Sequence, residues 1–181
     1  MRHFLIANSC VVLLASACSP GRHFTGDGTF VTIGRWPLTN YEVHFEEVDV
    51  FKPGMYSYHF EGLPRMPAVL QIAIDTREGN NCETLKQSSS LREAAINLQL
   101  LRSGVVVAHM SGQLADWVWT YTLGGPWGRD WSTHDCAIYS DTLYFSGERS
   151  GPYELTLEVV VAADDAPPVR PVVASYAVYT P

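Results

Sequence analysis

Alternation of apolar and polar residues at period two constrains this chain more than any other feature. Tyr153, Leu155, Leu157, Val159 and Val161 alternate with Glu154, Thr156 and Glu158. Successive side chains of a strand point to opposite faces, so this stretch predicts a strand with one face in a core and one in water. The pattern recurs. Tyr41, Val43 and Phe45 alternate with Glu42, His44 and Glu46, and the phase slips at Glu46-Glu47 before Val48 and Val50, as a β-bulge allows. Lys52-Pro53-Gly54 makes a turn, Tyr56, Tyr58 and Phe60 follow, Leu63 to Pro67 interrupts, and Leu70, Ile72 and Ile74 alternate up to Asp75.

The stretch from Thr76 to Glu93 is polar and reads as a long loop, with one helical turn over Leu91 to Ala95. Ile96, Leu98 and Leu100, the turn at Ser103-Gly104, and Val105, Val107 and His109 predict a hairpin. Trp117, Trp119 and Tyr121 share a face of the next segment, and Gly124 to Gly128 must be loop. Cys136 and Ile138, then Leu143 and Phe145, form further extended pieces, and Val172, Ala174, Tyr176 and Val178 close the chain. Eight or nine strands without interleaved helices exclude a doubly wound fold. The expected fold is all-β: a two-layer antiparallel β-sandwich, of jelly-roll or immunoglobulin-like type.

The N-terminus is of another kind. Met1-Arg2-His3 is followed by an apolar run from Phe4 to Leu14, broken only by Asn8 and Ser9, and then by the small residues Ala15, Ser16 and Ala17. A basic start, a short apolar centre and small residues before a cut are the parts of a secretory signal peptide. About eleven residues of helix span only ~16 Å, too short to cross a bilayer. Leu14-Ala15-Ser16-Ala17-Cys18 resembles the lipobox of bacterial lipoproteins. The resemblance covers the N-terminus alone. It implies that residues 1–17 are removed, that Cys18 receives a diacylglyceryl group and an acylated amino terminus, and that the protein is held on a membrane. Three acyl chains exceed the two signals that stable anchoring needs. In the enterobacterial sorting pattern an aspartate after the cysteine retains a lipoprotein at the inner membrane, so Ser19 implies the outer membrane of the cell envelope.

On this reading residues 18–34, polar and rich in glycine, are the lipidated N-terminus and a flexible tether, and residues 35–181 are the sandwich. Losing residues 1–17, which hold one Arg and no acid, leaves 164 residues and moves the formal charge from −7 to −8. An acidic chain of this length can bury a real core, and it lacks the clustered Lys and Arg that nucleic acid or an anionic lipid surface would require. Cys10 departs with the signal and Cys18 carries lipid, so Cys82 and Cys136 remain as a pair. In an exported protein these are expected to form a disulfide closing a loop of about 54 residues.

Catalytic motifs are missing from the sequence. It has no Gly-x-Ser-x-Gly elbow, no His-Glu-x-x-His, no phosphate loop, no EF-hand spacing and no CxxC, and its six His are scattered. His134-Asp135 lacks a nucleophile in context, and the Glu46-Glu47 and Asp164-Asp165 pairs read as solvated charge. No enzyme, cofactor or metal site is expected. The region that stands out is aromatic: Trp117, Trp119, Tyr121, Trp127, Trp131 and Tyr139 gather around the Gly124–Gly128 loop. Trp117 and Trp119 can be core, and Trp127 and Trp131 can cover the open end of the sandwich beside the disulfide. Alternatively Trp127, Arg129, Asp130, Trp131 and Tyr139 can form a binding surface, since Trp, Tyr and Arg dominate interface hot spots. The expected function is a non-catalytic envelope lipoprotein that binds a protein partner, as an assembly component, inhibitor or immunity factor. Carbohydrate or peptidoglycan binding through the Trp-rich loop is the alternative.

Overall fold

The computed structural model of the chain describes residues 23–33, 40–75, 82–122, 135–162 and 166–175. Two antiparallel sheets face one another. The first has the order β1(Thr25–Gly26), β4(Gly54–Glu61), β11(Tyr153–Val161), β6(Ala95–Arg102), β7(Val105–Gln113). The second has the order β2(Thr29–Ile33), β3(Asn40–His44), β12(Arg170–Ser175), β5(Pro67–Asp75), β9(Asp135–Tyr139), β8(Val118–Thr122), with β10(Tyr144–Ser146) also pairing with β5.

The pairing is nested. β3 pairs with β12, β4 with β11, β5 with β9 and β10, and β6 with β7, so the long strands pair from the outside of the sequence inward. A folded-over ribbon rolled in this way is a jelly roll, which resolves the choice left open by the alternation pattern. β9 and β10 lie along the same edge of β5 and are one strand interrupted by a 3-10 turn at Asp141–Leu143, which seats Leu143 in the core.

Alternation decides which side chains meet. From the first sheet Tyr58, Phe60, Leu98, Leu100, Tyr153, Leu155, Leu157 and Val159 point inward; from the second, Tyr41, Val43, Leu70, Ile72, Ile74, Ile138 and Val173 do. Aromatic rings fill the side next to β1 and β2. Phe45 contacts Tyr58 and Phe60 at 5.0 and 5.1 Å between centroids, and Phe30 stacks on Tyr41 at 5.2 Å.

Four local features depart from the pattern read in the sequence. Residues 25–33, which glycine content assigns to a tether, form β1 and β2, paired with β4 and β3. Gly26 and Gly28 have φ of +105° and +96°, so these glycines supply the left-handed corners that carry the chain from one sheet to the other. The 76–93 stretch contains two short helices, Cys82–Gln87 and Ser89–Glu93, held by buried Leu85 and Leu91. In β7 the register shifts opposite Leu100/Leu101, so Val107 is an extra residue and Ala108, not Val107, is buried. In β12 Val172 and Val173 are both buried, which erases the alternation. With the short β1, β2 and β10, the strands among the described residues number twelve instead of eight or nine.

The jelly roll has two ends. At one, Phe60, Tyr153, Arg102 and Val105 lie in register across β4, β11, β6 and β7, with Gly26 of β1 beside Phe60 and Thr25 beside Glu61, one residue further out. At the other lie Gly54, Val159 and Ile96 of the first sheet and Asp75 and Asp135 of the second. The nine residues of β5 set the separation at about 27 Å.

Candidate interaction surface

The disulfide is formed. Cys82 opens its helix, Cys136 lies in β9, their Cα atoms are 5.0 Å apart, and both side chains are buried. The bond ties the helix to the strand at the second end, where Asp135 pairs with both Asp75 and Thr122. The chain between Thr122 and Asp135 contains Trp127, Arg129, Asp130 and Trp131, which lie outside the described residues, as do Cys18, His134, Asp164 and Asp165.

Two tryptophans of the aromatic region are structural. Trp117 is buried against the core, and the indole of Trp119 donates to the Leu114 carbonyl at 2.8 Å from a half-buried site. Tyr139 is different. It stands opposite Val118 on the outer side of the second sheet, away from Cys136 and Ile138, and its ring meets Tyr144 edge-on at 6.1 Å. Val118 and Tyr144 are exposed. Four residues of strand separate Tyr139 from Asp135, about 13 Å, so Tyr139 is displaced from the root of the loop it was grouped with.

A second exposed apolar group sits at the disulfide end. Met55 is 70% exposed, and Val160, Val161 and Phe51 are about half exposed. Met55 pairs with Glu158, which puts Val160, two residues on, diagonally beside it on the outer face. The Lys52 ammonium sits 5.6 Å from the Phe51 ring centroid. Sequence reasoning did not single out these residues. Its one available signal was the Val159-Val160-Val161 run, where the outward position of an otherwise alternating strand turns aliphatic.

The polar groups do structural work. On the outer face of the first sheet the Asn97 amide donates to Glu158 at 3.3 Å and His109 Nε2 lies 3.0 Å from Asn97 Oδ1. This exposed chain includes no nucleophile. Glu47 pairs with Arg170, Glu42 with His44 at 2.7 Å, and Glu148 with Arg102 at 2.9 Å. The raised pKa values belong to tyrosines. Burial, reinforced by the charge of Glu46, pushes Tyr58 up to about 12, and burial also raises Tyr41 and Tyr153. Among the described residues no three His, Cys, Asp or Glu side chains converge as metal ligands, and no helix is long and apolar enough to cross a membrane. No family model, curated protein or solved structure matches this chain.

Proposed function

We propose that this chain is a non-catalytic lipoprotein of the bacterial envelope, anchored by lipid on Cys18, whose jelly-roll domain binds a protein partner with the end remote from the anchor. The observation that carries the reading is the placement of two features at opposite ends of the domain. Thr25, only seven residues after Cys18, stands beside Glu61 at one end of β4, and the exposed Met55, with Val160, Val161 and Phe51, stands at the other, Met55 being six residues along that strand, or about 20 Å away. A domain tethered by its N-terminal end would present this apolar group, and the root of the Trp-containing segment beside it, away from the lipid. Clustered exposed apolar residues on a soluble domain mark contact sites. The acidic net charge of −7 directs the partner away from nucleic acid. The lipobox resemblance at Leu14–Cys18 supports the anchor, and the Ser19 that follows supports the outer membrane as its site.

The test is a photo-crosslinking residue at Met55 in the full-length chain in cells, with one at Thr156 as control. A discrete protein adduct from Met55 alone supports the reading. Adducts of equal yield from both sites, or enrichment of a glycan with no protein adduct, sink it. Fatty-acid labelling that persists in Cys18→Ser would overturn the anchor.

A further inference from the structure

The end of the jelly roll that carries β1 has an exposed apolar tip of its own. The β6–β7 hairpin turns through Ser103 and Gly104, and the residues that follow, Val105 and Val106, are 66% and 48% exposed. Half-buried Leu101 faces outward in register with Val106, and exposed Pro152 abuts the turn, its carbonyl accepting from Ser103 N at 2.8 Å. Four aliphatic side chains thus share one corner. We infer that this Val105–Val106 tip is a second membrane contact, inserted into the lipid interface beside the Cys18 anchor and fixing how the domain stands on the bilayer. The inference rests on the lipoprotein reading above.

Reach supports it. Seven residues from Cys18 to Thr25 extend at most about 25 Å. Thr25 lies at the same end as Val105, four strand spacings across the sheet, or about 19 Å. A lipid on Cys18 therefore confines this corner to the vicinity of the headgroups. Confinement makes the contact effectively intramolecular, so two aliphatic side chains that would not bind a membrane alone can hold an orientation.

Charge permits it. Around this end Arg65, Arg102 and Arg149 stand against Glu61 and Glu148, and with Glu154 and Asp27, one row inward beside His59, the set carries a net charge of only −1. In a chain with a net charge of −7 this end is not repelled by an anionic surface as the rest would be. Arg102 is the one charged residue among hairpin residues 101–106, and it is paired with Glu148 at 2.9 Å.

The experiment uses the full chain reconstituted in phosphatidylethanolamine–phosphatidylglycerol vesicles, with Cys18 acylation read by mass on the same sample. A single environment-sensitive fluorophore is attached at V105C or, for the opposite end, at M55C, and spin-labelled lipid is added. The expected result is blue-shifted emission from the Val105 site, quenched several-fold more than emission from the Met55 site. Acylated protein in which the Val105 site is quenched no more than the Met55 site overturns this inference alone. A blue shift at Val105 that spin-labelled lipid leaves unquenched, as edge pairing between two β7 strands would give, overturns it too. An unacylated Cys18 removes the anchoring reading and this inference together.

Discussion

Phe60 and Tyr153 stack with ring centroids 5.2 Å apart and planes 4° from parallel, directly opposite one another on β4 and β11. The pair sits where the second and the second-to-last long strands of the roll meet, so it reports on the nested pairing itself. The Tyr153 hydroxyl also accepts from Glu148 N at 2.8 Å, which pins the turn leading into β11. Phe60→Ala should cost about 3–5 kcal/mol, by lost burial and the cavity it leaves. Tyr153→Phe keeps the stack and strips the hydroxyl's hydrogen bonds to Glu148 and Arg102, and should cost about 1–2 kcal/mol. Urea unfolding midpoints of the two variants check the ranking; equal losses would mean that the stack contributes little.

The Cys82–Cys136 bond bridges 54 residues of sequence. Under the chain-entropy model a loop of that length gives about 4 kcal/mol, through restriction of the unfolded state. The double variant Cys82→Ala, Cys136→Ala should therefore unfold at lower denaturant with the sandwich signature intact in circular dichroism. Unchanged stability under oxidising conditions would show that the bond does not form in solution.

How much of this could be read from residues depends on what lies on each face. β11 was legible because one side meets the core and the other meets water, so Leu155 and Glu154 announce their sides. β12 was not, because Val172 and Val173 are both buried and no period survives. β1 and β2 were hidden by Gly26 and Gly28, whose composition suggests flexibility but whose positive φ values serve fixed corners. The disulfide followed from counting cysteines. The Met55–Val160 neighbourhood did not, because it is created by a register between strands about a hundred residues apart in sequence, which no local pattern encodes.

The β6–β7 turn offers a test with opposite signs at adjacent positions. Ser103 and Gly104 have φ of +49° and +78°, the conformation of a two-residue type I′ hairpin. Asparagine tolerates that region better than serine, so Ser103→Asn should stabilise by a few tenths of a kcal/mol. A Cβ at Gly104 would meet nothing within 4 Å, so the cost of Gly104→Ala, about 1 kcal/mol, would be purely that of backbone conformation. Thermal unfolding of the two variants should shift in opposite directions; a shared direction would contradict the turn.

Alkaline pH should unfold this protein through its tyrosines. Tyr58 donates its hydroxyl hydrogen to the Glu46 carbonyl at 3.2 Å, and burial together with the Glu46 charge lifts its pKa to about 12 from the ordinary 10. Tyr41 and Tyr153 are shifted in the same direction, chiefly by burial; for Tyr153 the hydrogen bonds to Glu148 and Arg102 offset part of the rise. A group whose folded pKa is raised binds its proton more tightly in the folded state. The unfolded chain loses these protons near pH 10 while the folded chain keeps them, so the stability present below pH 10 falls as pH climbs from 10 towards 12. Urea midpoints should be flat between pH 8 and 9.5 and then drop, with tyrosinate absorbance rising in step with unfolding. Tyr58→Phe removes one of the titrating groups and should make the drop shallower. If the slope above pH 10 is the same in that variant as in the parent, Tyr58 is not held neutral by the fold.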